Sequence, residues 1–294
     1  MDLDDLITEE RRDDARDLDL RGTGELVGLM NRLDAAVPSA VARAAPAVAD
    51  VIDHVVEKLR AGGRLIYVGA GTSGRQAVAD AAECEATFST EPGKVVAVFA
   101  GDREGAEDDA EAGAQAIREL STGNADAVIG VSASGRTPYV LAAIEAAGRA
   151  GAFTACLVST PGSALAQLTE REIAVVVGAE VIAGSTRLKA GTAQKLVLNQ
   201  ISTISMVRLG KVFDNLMIDV AADNDKLRAR ARRIVQTVTG ASADEADEAL
   251  AAADGSAKVA IVALLAGLSA DEARSRLAAG GGDIRAALEG VAAR

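Results

Sequence analysis

Three glycines, Gly69, Gly71 and Gly74, stand in the spacing G-x-G-x-x-G within RLIYVGAGTSGRQAV at residues 64–78. Thr72 and Ser73 fill the gap and Arg75 follows. Glycine lets a backbone approach an anion closely, and serine or threonine hydroxyls add donors. A second run, VSASGRTPY at 131–139, supplies Ser132, Ser134, Gly135, Arg136 and Thr137, so Ser-Gly-Arg occurs twice, each time behind an apolar run. If those runs are strands of a parallel sheet, each loop feeds a helix N-terminus, whose unpaired N–H groups and positive dipole end attract anions. The chemistry indicated is phosphate binding.

The glycine spacing alone also fits a dinucleotide turn. That reading wants an acidic residue about 20 positions on, for a ribose. Asp102 comes 28 residues after Gly74, which is late. Two hydroxyl-rich loops suit a compact phosphomonoester better, because it needs many donors in a small volume, whereas a pyrophosphate is usually met by bare glycine backbone. Tight strand-to-helix turns would account for the glycines but not for the clustered hydroxyls. A sugar phosphate is therefore the expected ligand.

The elements that position these loops follow from the hydrophobic pattern. Five short apolar runs, at 64–70, 94–101, 125–134, 153–160 and 173–179, are separated mostly by helical patterns at 104–120, 137–150 and 162–169. Near-continuous Val/Ile/Ala runs alternating with helices predict buried parallel strands in a three-layer α/β/α sandwich with a five-stranded sheet. A helix over 38–61 ends at Gly62 and Gly63, and a long helix is expected over 187–210. No strand signal is read beyond residue 185. Short helices follow from about 226, with Ser242 and Ser269 as N-caps ahead of acidic first turns and a break at 280–282. The expected division is an N-terminal helical segment (1–50), a sugar-phosphate-binding domain (51–220) and a C-terminal helical domain (221–294).

Composition narrows the class of partner. The chain has 294 residues with 43 acidic against 31 basic side chains, a net charge of −12, no Trp, four Phe and two Tyr. Nucleic acid wants a basic stripe and stacking platforms, so it is not an expected partner. The start, MDLDDLITEE, has no apolar core of a signal peptide, and the longest apolar run, at 259–268, is far short of the roughly 20 residues that span a bilayer. Two cysteines make no disulfide framework, and the prediction is a cytosolic protein with no membrane segment.

Longer blocks carry a resemblance. GAGTSGR at 69–75, DAAEC at 80–84, EGAEDD at 104–109, SASGRTPYV at 132–140, GSTRLKAGTAQKLVLN at 184–199 and GKVFDNLMIDV at 210–220 occur in order. The paired loops resemble a sugar isomerase (SIS) domain, and the whole set resembles the bacterial N-acetylmuramic acid 6-phosphate etherases, with mammalian glucokinase regulatory protein a more distant relative. The resemblance implies a lyase that splits the substrate's ether to N-acetylglucosamine 6-phosphate and D-lactate in cell-wall sugar recycling. It also implies a homodimer with active sites near the subunit interface and no metal or other cofactor. Glu83 matches the glutamate that protonates departing lactate and Glu107 the base that removes the hydrogen on carbon 2, the pair being better determined than the order of roles. From composition alone each would be a solvated helix charge. Ser185, Thr186 and Lys189, at the start of the long helix with Arg187, are implied substrate contacts, with an ordinary helix cap as the competing reading. Against the family pattern, the segment before Glu107 is short, Glu85-Ala86 replaces two prolines, and Asp214 replaces a glycine.

The other reactive residue types offer less. Cys84 and Cys156 are 72 positions apart and the single histidine, His54, lies in a helix, which does not suit a zinc site with three or four clustered ligands. Cys84 reads as a buried structural thiol and His54 as a helix-face residue. The rival functions are an SIS-type aldose–ketose isomerase, separated by lactate release, and a non-catalytic sugar-phosphate sensor, which the two glutamates disfavour.

Overall fold

The computed structural model describes residues 7–101, 103–219 and 225–290. By backbone packing these described residues fall into two units, one before residue 84 together with 92–202, the other 84–91 together with those after 202.

In the first unit, three helices precede the sheet: α1 (Thr23–Asp34), α2 (Val37–Arg43) and α3 (Ala45–Arg60). The single helix expected over 38–61 is thus two, broken at Ala44. Pro46 stands in the first turn of α3, where its missing N–H costs nothing, but its ring prevents α2 from running on. The sheet and its connections follow as β1 (Leu65–Gly69), α4 (Gly71–Phe88), β2 (Val95–Phe99), α5 (Ala110–Glu119), β3 (Ala127–Val131), α6 (Pro138–Arg149), β4 (Phe153–Val158), α7 (Ala164–Gln167), β5 (Arg171–Ala174) and α8 (Lys189–Arg208). All pairings in the five-stranded sheet are parallel, in the order β2-β1-β3-β4-β5.

β1, β3 and β4 are buried along their whole lengths, which is why they read as unbroken apolar runs. Ile66, Val68 and Val128 pack with Ile117 of α5 and with Val140 and Ile144 of α6 on one face. α3 covers the other face against β1, β3 and β5. The expected α/β/α sandwich is therefore the observed fold. β5 lies at residues 171–174 rather than 173–179, because an edge strand needs an apolar residue only where it faces the core, here Ile173. At the opposite ends of β1 and β3, the Asp126 carboxylate accepts from the Arg64 backbone N–H and from guanidinium Nε and Nη2, at 3.0, 3.0 and 2.8 Å, and from the Gly123 N–H at 3.0 Å.

The second unit holds a two-stranded antiparallel hairpin, β6 (Val212–Phe213) and β7 (Leu216–Met217), then α9 (Asp225–Thr239), α10 (Ala243–Ala252), α11 (Ala257–Ala266), α12 (Ala270–Ala279) and α13 (Ile284–Leu288). The hairpin contradicts the absence of strand signal beyond 185; at two residues a strand it is too short to show a period. Asp214 in its turn has φ of +55°. Ser242 and Ser269 both close capping boxes, with Glu245 and Glu272. Ala246, Val235, Ile261 and Ala273 centre the core of this unit. Among the described residues no single helix is long and apolar enough to cross a membrane.

Candidate functional site

The chain order of the sheet reverses between β1 and β3, and open α/β sheets bind ligands in the crevice beyond the carboxyl ends of the strands at such a reversal. Gly69 pairs in register with Val131, so the loops that follow them, 70–73 and 132–137, lie side by side. Each loop then enters a helix. In α4 the first intrahelical bond runs from Gly74 N–H to the Ala70 carbonyl at 3.0 Å, leaving the amides of Gly71, Thr72 and Ser73 without a partner inside the helix. In α6 it runs from Leu141 N–H to the Thr137 carbonyl at 3.0 Å, and the N-cap side chain of Thr137 caps nothing. Two positive helix ends meet at one place.

Gly74 shows why the glycine spacing is needed. A Cβ there would lie 2.3 Å from Phe99 Cδ2 and 2.8 Å from the Gly69 carbonyl oxygen, so a side chain would push α4 off the end of β1.

The hydroxyls of the second loop keep protons to donate, whereas Ser73 gives its own to a buried side chain. Ser134 Oγ accepts from the Arg136 N–H at 3.3 Å, and Ser132 Oγ accepts from the Gly135 N–H at 3.1 Å while pairing with Thr137 Oγ1 at 2.9 Å. With oxygen lone pairs engaged by backbone N–H groups, the Ser134 proton and one of the Ser132–Thr137 pair remain to be donated. Ser73 Oγ lies 3.0 Å from Oε1 of the buried Gln194 on α8.

These loops wall a cavity of roughly 280 Å³. Ligand pockets usually run from about 300 to 1,000 Å³, so this one suits a single sugar phosphate and is small for a dinucleotide. Of the residues singled out in the sequence, Gly71, Thr72, Ser73, Glu107, Ser132, Ser134, Arg136, Thr137 and Thr186 line it. Glu107 sits on a single 3₁₀ turn, Ala106–Asp108, behind β2, and a Cβ on Gly71 would stand 4.0 Å from its Oε2. Despite the short segment before it, its carboxylate faces the mouth of α4. Asp102, the acidic residue weighed for a ribose, lies outside the described residues.

Four residues are not in the lining. Gly135 packs behind the second loop, where a Cβ would fall 2.1 Å from Ser163 Oγ. Ser185 is a neighbour of the wall residues Gly184 and Thr186. Lys189 is buried and donates from Nζ to the carbonyls of Val177 and Ala179, both at 2.7 Å, and burial holds its ammonium pKa below the usual range. The amides that open α8 are already taken, since the Glu180 carboxylate accepts from Lys189 and Ala190 N–H at 3.1 and 2.9 Å. Glu83 lies on α4, its Oε2 3.4 Å from Lys195 Nζ with 67% of the side chain exposed. It is 12 residues past Gly71, which at 1.5 Å per residue is about 18 Å along the helix.

Two wall residues lie outside every block read from the sequence as part of the site: Thr8 and Glu9. No motif signalled them, because a short acidic segment near the start of a chain has no period to betray its packing. Cys84 is buried, and burial pushes the Cys156 pKa up to about 11, so neither suits a nucleophile. His54 stacks on Phe153 with ring centroids 4.6 Å apart. Among the described residues no three His, Cys, Asp or Glu are grouped to hold a metal ion.

A parallel α/β sandwich whose two helix mouths and hydroxyl loops share one anion-oriented cavity defines the chain as a protein of the SIS class. Residues 47–148 match the glucokinase regulatory protein N-terminal SIS domain. Solved structures with this fold include a phosphoheptose isomerase from Francisella tularensis, at a TM-score of 0.50 and 18% identity over 62% of this chain and 98% of that one. The Escherichia coli CFT073 protein c3406 gives a TM-score of 0.50 and 18% identity over 66% and 97%. Full-length relatives are more specific. The chain is 61% identical over 270 residues, 90% of each protein, to the N-acetylmuramic acid 6-phosphate etherase of Rubrobacter xylanophilus. It is 50% identical to that of Streptomyces avermitilis, over 90% of this chain and 87% of the relative. The chain belongs to the N-acetylmuramic acid 6-phosphate etherase family.

Proposed function

We propose that the protein is a carbon–oxygen lyase that cleaves the D-lactyl ether of N-acetylmuramic acid 6-phosphate, giving N-acetylglucosamine 6-phosphate and D-lactate. The 61% identity across nine-tenths of an etherase of the same name carries the reading, and the cavity is chemically suited to it. The phosphate is held by the amides of Gly71, Thr72 and Ser73 and by the hydroxyls of Ser132, Ser134 and Thr137, with Arg136 and Thr186 at the rim. Apart from Thr8 and Glu9, the wall comes from residues within 51–220, which supports treating that segment as the sugar-phosphate-binding part.

In the ring-opened sugar the aldehyde at carbon 1 acidifies the hydrogen on carbon 2. Glu107 removes that proton, the electron pair forms the carbon 2–carbon 3 double bond, and lactate leaves from carbon 3 as its oxygen gains a proton from Glu83. Water then adds to the unsaturated aldehyde at carbon 3. The Glu83 backbone stands about 18 Å along α4 from Gly71. That separation supports a homodimer in which Glu83 enters the partner's cavity rather than its own. The largely exposed Glu83 carboxylate and the 40%-exposed Val78 on the same helix support a covered surface there. Two buried cysteines that form no disulfide suit a reducing cytoplasm, where the reaction serves recycling of cell-wall sugars.

The test is incubation of the purified protein with N-acetylmuramic acid 6-phosphate and enzymatic assay of D-lactate. Release of lactate supports the lyase. Conversion of an aldose phosphate to its ketose without lactate would replace it with the isomerase reading.

A further inference from the structure

We propose that Thr8 and Glu9 form a second, sugar-reading wall of the cavity: they hold the hydroxyl and acetamido donors of the amino sugar, while the two serine-bearing loops hold its phosphate. The inference rests on the etherase reading of this cavity and assigns it a specificity element. Thr8 and Glu9 arrive on the 3₁₀ turn Ile7–Glu9, remote in sequence from every loop that binds phosphate.

Three observations carry it. Thr8 lines the cavity at 2% exposure, yet its Oγ1 has no hydrogen-bond partner. A buried hydroxyl without a partner is costly, and rotation of the Thr8 side chain toward a ligand in the cavity is what would complete it. Secondly, the turn is held in a defined place. The Gly184 N–H donates to the Thr8 carbonyl at 2.8 Å, and Gly184, itself in the wall, packs so closely that a Cβ would lie 2.5 Å from Glu9 Oε2. Thirdly, the charge is wrong for phosphate. A carboxylate beside a phosphate dianion is repelled, so Glu9 must face the part of the ligand that presents donors. On an amino-sugar phosphate these are hydroxyls and the amide N–H. A wall of one carboxylate and one hydroxyl left unpaired by the wrong sugar discriminates strongly, because the penalty falls on buried polar groups.

The experiment uses the full-length protein and its Glu9→Gln and Thr8→Val variants. Lactate release gives kcat and KM, calorimetry gives affinity for N-acetylglucosamine 6-phosphate, and inorganic phosphate serves as a competitive probe of the phosphate loops alone. Each variant is expected to raise KM and weaken N-acetylglucosamine 6-phosphate binding by about 10-fold, the loss of one charge-assisted or buried hydrogen bond. Inhibition by inorganic phosphate and the pH profile of kcat stay as in the wild type, and the Tm of Thr8→Val does not fall. Unchanged affinity for N-acetylglucosamine 6-phosphate in both variants overturns the proposal. So does a parallel loss of phosphate inhibition, or a fall in kcat with a displaced alkaline limb, which would make Glu9 a proton donor instead. If the wild type releases no lactate, the etherase reading has failed, while the calorimetric comparison still decides this one.

Discussion

If Glu83 and Glu107 serve one sugar from different chains, as proposed, the sharing has a consequence that can be worked as a number. Each carboxyl group must come within hydrogen-bond reach, about 3 Å, of its own proton on neighbouring carbons, which keeps the pair within roughly 10 Å. Glu107 lies at the mouth of α4, beside Gly71. The Glu83 backbone is about 18 Å further along the same helix. The perturbation is a pair of single variants, Glu83→Gln and Glu107→Gln, each expected to fold and to lose about 100- to 10,000-fold in turnover. Mixed in equal amounts under conditions of subunit exchange, half the dimers pair one variant with the other. In a two-fold dimer that shares Glu83 across the interface, one cavity of each mixed dimer keeps both native carboxylates, so about a quarter of wild-type activity returns. The assay is D-lactate release against mixing ratio, with size-exclusion chromatography to follow the dimer. If Glu83 worked in its own chain, every cavity in the mixture would carry one defect. Full inactivity of the mixture, with exchange demonstrated, refutes the reasoning.

Further predictions concern the fold that carries the cavity. Asp126→Asn breaks the link between the starts of β1 and β3 and should cost about 2–3 kcal/mol in urea unfolding at pH 7, since charged hydrogen bonds to Arg64 are lost in a half-buried setting. Burial pushes the Asp126 carboxyl up, but the bonds from Arg64 and Gly123 outweigh it and hold its pKa below the usual range. The stabilisation is therefore fully present above the unfolded value of about 3.9 and lost as pH falls through the lower folded value, so wild type and variant should converge in acid. Asp214→Gly should raise stability by about 0.5–1 kcal/mol, the left-handed strain of about 1–2 kcal/mol exceeding glycine's entropic cost of about 0.5–1; a fall in Tm would contradict it.

Legibility followed packing. β1, β3 and β4 were readable because a central parallel strand is buried on both faces and must be apolar throughout. β5 was displaced in the reading because its exposed Arg171 sits inside the strand. The break at Ala44 was missed since an alanine-rich run keeps its helical period through a bend. At the cavity, Ser73, Ser132, Ser134 and Thr137 were legible because loops behind strands must supply the helix mouths with polar groups. Lys189, expected as a substrate contact or as a flanking charge of an ordinary helix cap, lies outside the cavity lining. Only the fold shows Glu180, nine residues upstream, filling that helix end, and the ammonium spent on two carbonyls. Thr8 and Glu9 needed the tertiary structure altogether.

The most direct measurement is a crystal structure of the Glu107→Gln variant soaked with N-acetylmuramic acid 6-phosphate. Phosphate oxygens are expected within hydrogen-bond distance of the Gly71–Ser73 amides and the Ser132 and Ser134 loop, with carbon 2 of the sugar beside residue 107. Phosphate bound away from both loops, or carbon 2 turned away from that residue, would contradict it.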